Sequence, residues 1–220
     1  MRRIALLFLL LASLSLCAGT ALANSVDMQL TSVGGNQAGG VYTYPYYISV
    51  NGAAPVAMIC DTYDNEIVVG ETWKANPSED LPLGGGLFGN SPTIMNDYKA
   101  TALIFKGIMN GTIDPNEGNF AIWGFFSLNA RNNPYFGTSG AAGLESQYLA
   151  LAAATPLSKF WGFKIFNPVP GTQSQGMRAQ EFIEYTGVTP EPSSFVLFGT
   201  GLLSLAGMVQ QKLRKAVAAS

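Results

Sequence analysis

Two uncharged apolar runs bracket this chain and leave one stretch between them from which to build a folded domain. The first is Ile4 to Leu16 and the second Ser193 to Val209. The stretch between them has room for a single sizeable core. Arg2 and Arg3 precede the first run, and Ala21-Leu22-Ala23 follows it with the small-x-small pattern that signal peptidase cuts after. Residues 1–23 are therefore expected to be a signal peptide, with Ala21 and Ala23 as its cleavage signature and Asn24 near the mature start. Two other readings exist, an acylated Cys17 and a retained N-terminal anchor. Leu16 stands where a lipoprotein signal needs a small residue, and the apolar core is short for a span.

The second run is followed by Lys212, Arg214 and Lys215. At about 1.5 Å per residue, 193–209 falls slightly short of a hydrocarbon core of roughly 30 Å, so it is expected to span as a transmembrane helix with help from its flanks. The basic cluster then acts as a stop-transfer tail on the cytoplasmic side. Just ahead of the run stand Pro190, Glu191 and Pro192, where the two prolines cannot continue a helix and keep the backbone extended.

The motif Pro190-Glu191-Pro192, a Ser pair, a Gly- and Leu-rich run and a basic tail, over about Thr189 to Lys215, resemble the PEP-CTERM sorting signal of Gram-negative bacteria. That resemblance implies recognition by an exosortase-type protease, which cuts near the motif and passes the protein outward. It divides the chain into a signal peptide (1–23), an exported domain (24–188) and a sorting signal (189–220).

Composition narrows what the exported part does. All 14 acidic residues lie between Asn24 and Pro192 against seven of the 12 basic ones, a net charge of −7 there. Such a surface argues against nucleic acid or anionic lipid as a partner. The chain has no His, which removes the most common general base and the common zinc sites. Once the signal is cut, Cys60 is the sole thiol, leaving a buried inert group, an intermolecular disulfide or a reactive group as its possible roles.

Within the domain, Asn24 to Gly40 is expected to begin as a strand and run into a loop. Val41 to Val50 is rich in Tyr, Ile and Val and interrupted by Pro45; Asn51-Gly52 is a turn, and Pro55 to Cys60 returns as a partner strand. Glu66 to Lys74 reads as a further strand and Asn76 to Asn90 as a surface loop. Ser91-Pro92 opens a helix through about Met109 that Asn110-Gly111 stops, with Ile94, Tyr98, Ala102 and Phe105 as its buried stripe. Asp114-Pro115-Asn116-Glu117 is a second start signal, with Glu117 expected to reach back as in a capping box; a strand is the competing reading of the aromatic run behind it. Leu144 to Ala154 is a third helix, and Lys159 to Phe166 and Glu181 to Tyr185 are closing strands. The expected fold is α+β, an antiparallel sheet or sandwich with about three helices.

Two segments carry a second resemblance. Met58 to Glu66, "MICDTYDNE", and Asn119 to Phe126, "NFAIWGFF", flank "YKATALIFKG" (Tyr98 to Gly107), in an order similar to bacterial thioester adhesin domains. There a Cys and the Gln of a T-Q-x-A-I-W motif form an internal thioester that a nucleophile opens. The resemblance makes Cys60 and Asn119 the candidate pair, but Asn119 stands at the Gln position and Gly118 at the Thr. Asn is one methylene shorter, which leaves its carbonyl roughly 1.5 Å short. A buried Cys beside a buried Trp is the competing reading.

Asp61, Asp64 and Glu66 offer oxygen ligands for Ca²⁺ but lack the remaining EF-hand residues, and a solvated turn is the favoured reading. Glu145 with Glu184, or Asp114 with Glu117, are the carboxylate pairs that a glycosidase would need. Tyr42, Tyr44, Tyr46 and Tyr47 form an aromatic patch suited to carbohydrate or protein if exposed and to the core if buried. Together these readings predict an exported, non-catalytic surface, matrix or adhesion protein with no metal or cofactor. Its expected partners are signal peptidase, an exosortase, the membrane, and exopolysaccharide or other surface proteins. The rivals are a covalent adhesin at Cys60 and a carbohydrate-active enzyme.

Overall fold

The computed structural model describes residues 25–79, 86–176 and 178–187. Ala21, Ala23, Pro190, Glu191, Pro192, the apolar run 193–209 and Lys212, Arg214 and Lys215 lie outside the described residues. Among those described, no helix is long and apolar enough to cross a membrane.

The described residues form eight strands and five α-helices. The strands are β1 (Val26–Val33), β2 (Gln37–Ala38), β3 (Val41–Tyr42), β4 (Tyr46–Val50), β5 (Val56–Cys60), β6 (Thr72–Glu79), β7 (Phe163–Pro168) and β8 (Phe182–Tyr185). Between β6 and β7 come α1 (Pro92–Met109), α2 (Pro115–Phe126), α3 (Leu128–Asn132), α4 (Pro134–Thr138), α5 (Ala141–Ala154) and a 3₁₀ turn at Leu157–Phe160.

The antiparallel pairing is as expected, but the architecture is not an open sheet or a sandwich. Six strands close into a barrel in the order β1-β4-β5-β8-β7-β6, with β6 returning to β1. Met28 shows the closure: it pairs with Val50 of β4 on one side and with Trp73 of β6 on the other. A register shift between Leu30 and Ser32 bends β1 where it has to curve around the barrel. Closure leaves no sheet edge exposed, which an antiparallel sheet of this size must otherwise protect.

Two cores share the barrel wall. Met28, Leu30, Tyr46, Ile48, Met58, Cys60, Trp73, Ala75, Phe166 and Phe182 form one cluster, and their alternation along each strand places them in the interior. Ile59, Phe163, Ile165 and Ile183 alternate with these and pack outward against the helices, among Tyr98, Phe105, Phe120 and Trp123. Strands β5, β7 and β8 are thus apolar on both faces, and each fully buried large side chain contributes about 1.5–3 kcal/mol.

Local signals set the helix ends. Ser91 Oγ accepts from Ile94 N at 3.3 Å with Pro92 in the first turn, and α1 stops at Asn110 before Gly111, whose φ is 76°. Asp114 Oδ1 accepts from Asn116 N and Glu117 N at 2.9 and 3.1 Å, which settles the second segment as helix. Glu117 does not complete a capping box; its carboxylate accepts from Gly140 N at 3.2 Å, tying α2 to the start of α5. The short helices α3 and α4 were not expected. Ser127 and Asn133 cap them, with Pro134 opening the second.

Three strand boundaries also differ. Residues 66–71 form a loop and turn, and β6 begins at Thr72 and continues to Glu79 into the expected surface loop, because β7 pairs with it from Ala75 to Glu79. Lys159 and Phe160 belong to the 3₁₀ turn, and Gly162, at φ 88°, redirects the chain into β7.

Candidate functional site

Strand β5 and helix α2 meet at Cys60 and Asn119, both fully buried. The structure brings the pair together, though through the main chain of Cys60. Asn119 Nδ2 donates to the Cys60 carbonyl at 3.0 Å, and Oδ1 accepts from Tyr44 N at 2.8 Å. The Cys60 sulfur accepts from Thr62 N at 3.3 Å and faces the Thr62 carbonyl at 3.4 Å. The indole N–H of Trp123 is buried and finds no acceptor among the described residues. Burial pushes the thiol well above its usual range, outweighing the hydrogen bond from Thr62. Cys60 is a free, protonated thiol with no path for a nucleophile, and Asn119 is a clamp between β5 and the segment ahead of β4.

The next residue along carries an interaction that sequence reading did not anticipate. Cys60 pairs with Phe182, so their neighbours Asp61 and Glu181 face each other at the same end of β5 and β8. Both are fully buried, and Asp61 N reaches the Glu181 carbonyl at 3.4 Å. Glu181 Oε1 accepts from the Tyr98 hydroxyl at 2.6 Å and Oε2 from Leu87 N at 2.5 Å. Asp61 Oδ1 accepts from the Thr62 hydroxyl at 3.0 Å, whereas Oδ2 has no ordinary donor. Two carboxyls in such a place satisfy each other when one is an acid. Glu181 already accepts at both oxygens, whereas Asp61 Oδ2 accepts from no donor among the described residues, so the acid form suits Asp61. Burial first, then the Glu181 charge, hold Asp61 well above the carboxylate range; Glu181 is raised too, by burial, against the hydrogen bonds it accepts. The same burial, with the two carboxyls, raises Tyr98. The network links β5, β8, α1 and the 86–88 turn, and its acid is sealed from solvent.

A cleft of about 360 Å³ opens beside this interior network. It is lined by Tyr42, Tyr46, Tyr63, Asn65 and Gln180 together with the loop 66–69. The expected aromatic patch divides here. Pro45 follows a cis peptide bond and separates β3 from β4, so Tyr42 and Tyr46 border the cleft while Tyr44 turns its ring edge to Phe105 at 5.5 Å. Tyr42 is exposed and Tyr46 buried, its hydroxyl donating to the Tyr42 carbonyl at 2.5 Å. Tyr47 faces outward from the other side of β4.

The remaining candidates have separate tasks. Asp64 accepts from Asn129 Nδ2 at 2.7 Å, Glu66 is exposed on the cleft loop, and Asp61 is buried, accepting from the Thr62 hydroxyl. Among the described residues no three acidic or thiol groups gather where they could hold a metal. Glu145 is ion-paired with Arg131 within the helices, whereas Glu184 lies opposite Lys164 in the β7–β8 ladder, so each has its own partner. Asp114 and Glu117 are occupied with the helix ends described above.

The fold and site define a closed antiparallel barrel with a helical insertion, a buried acid network between the barrel wall and the helices, and a cleft bordered by tyrosines. No protein-family model, curated protein or solved structure matches this chain.

Proposed function

We propose that the protein is an exported, non-catalytic component of the cell surface or extracellular matrix, released at its C-terminal sorting signal by an exosortase-type protease. The observation that carries this reading is the order of features outside the barrel: a basic-apolar-Ala-x-Ala segment on one side, and Pro190-Glu191-Pro192, an apolar run and Lys212, Arg214 and Lys215 on the other. What supports a binding role is that the carboxyl pair and the thiol are buried while the open cleft is lined by apolar, aromatic and mostly uncharged polar side chains.

The test is processing in a host that possesses the sorting protease. The secreted form is expected to begin near Asn24 and to lack Phe195 to Ser220, and replacing Pro190 and Pro192 is expected to leave the protein in the membrane fraction. A secreted protein that keeps its full C-terminus overturns the proposal.

A further inference from the structure

We infer that the cleft between the Tyr42 hairpin and the 63–69 loop is a binding site for a neutral sugar, one or two pyranose units of a polysaccharide chain. Its volume, about 360 Å³, lies in the range of small-molecule sites. Its chemistry selects the ligand by what it holds and what it lacks.

Among the described residues, Glu66 is the one charged side chain in the lining, which includes no Lys or Arg. A phosphate, sulfate or uronate would enter an acidic domain with nothing to neutralise it, so an anionic ligand is disfavoured. The walls combine aliphatic side chains, Leu30, Val33 and Val41 among them, with phenol rings: Tyr42 is 47% exposed, and the ring of Tyr63 is held edge-on against Trp123 at 5.2 Å by contacts within the fold. Rigid phenol rings offer an apolar face to the C–H side of a sugar and a hydroxyl to its rim, at little entropic cost.

Gln180 supplies the polar requirement. It is only 8% exposed, and its Nε2 donates to two carbonyls of the cleft loop, Thr62 O at 3.2 Å and Asn65 O at 2.6 Å. Those two acceptors fix which end of the amide is nitrogen. Oε1 is buried and left without a donor among the described residues, on a side chain that borders the cleft. A sugar hydroxyl donates to such an oxygen and accepts from a neighbouring Tyr or Asn65, whereas an apolar ligand leaves it orphaned.

The source of the sugar, a matrix polysaccharide, rests on the proposed surface role; the site does not. The experiment is affinity electrophoresis of the purified full chain through gels containing a neutral β-glucan, a neutral galactomannan or an anionic polyuronate, with spermidine as a competing cation. Retardation is expected in at least one neutral gel. Tyr42→Ala is expected to weaken it about tenfold, Tyr42→Phe to retain most of it, and Tyr47→Ala, outside the cleft, to leave it unchanged. Passage unretarded through both neutral gels overturns the inference, as does retardation equal in Tyr42→Ala, or binding confined to polyuronate or abolished by spermidine. Sugar binding together with a secreted form that keeps residues 195–220 in the processing test sinks the sorting reading and leaves this one standing.

Discussion

The side-chain amide of Asn119 bridges two main chains, donating to the Cys60 carbonyl at 3.0 Å and accepting from the Tyr44 N–H at 2.8 Å. Both backbone groups are far from other partners in sequence, and Asn119 is itself fully buried. Asn119→Ala strands a donor and an acceptor at once, each costing about 1–3 kcal/mol. Urea unfolding is expected to show a midpoint lowered accordingly, with an unchanged slope. A midpoint equal to that of the parent protein contradicts the clamp.

Cys60 should behave as a packed side chain. In the mature chain it is the sole thiol, and its sulfur is enclosed by Thr62 and Trp123. A maleimide is expected to leave the native protein unmodified and to label it fully in denaturant, with the intact mass showing no loss of ammonia. A mass lower by one ammonia, with no alkylation after unfolding, would establish a Cys60 thioester.

The Asp61–Glu181 pair makes stability depend on pH in a definite direction. Both groups bind protons more tightly folded than unfolded. The folded state therefore holds the extra proton above the ordinary carboxylate range, and stability is present in full at low pH and declines as pH rises through the raised values. Thermal melts from pH 5 to pH 9 are expected to fall across that window. Asp61→Asn, which supplies a permanent N–H toward Glu181, should flatten the decline. A melt that rises with pH in the same window, or an Asn variant with the parent's slope, argues for two ionised carboxylates.

Ile183 tests the two-sided wall. It is fully buried on the helix-facing side of β8 while its neighbour Phe182 fills the barrel. Ile183→Ala is expected to cost about 2–5 kcal/mol in denaturant unfolding, as a core truncation does, whereas a strand with one wet face would lose well under that. A loss below about 1 kcal/mol would mean that the helices do not cover β8.

Several elements were legible because their determinants are local. Ser91-Pro92 and Asp114-Pro115 announce helix starts through side chains that satisfy backbone N–H groups two or three residues on. Asn51, at φ 51°, and Gly52, at φ 73°, form the expected turn between β4 and β5. Closure of the barrel was not legible, since it depends on Met28 pairing with Trp73, and nothing near either residue specifies the other. The same limit hid Glu181. It reads as an ordinary acidic residue at a strand end until the Cys60–Phe182 register sets it against Asp61. Cys60 and Asn119 were named together on a motif order, which located a junction but not its chemistry. The cleft was half visible, as a Tyr-rich segment whose alternation Pro45 disrupts.

The helices enter the barrel between strands that are already hydrogen-bonded neighbours. Glu79, where the chain leaves β6, is in register with Lys164 near the start of β7, so a tight hairpin could join them and the barrel would still close. By connectivity the helical segment is therefore removable, a detour between two adjacent points. By solvation it is not, because Ile59, Phe163, Ile165 and Ile183 would be turned to water in one stripe. The barrel owes its topology to itself and the covering of its outer wall to the passenger it carries.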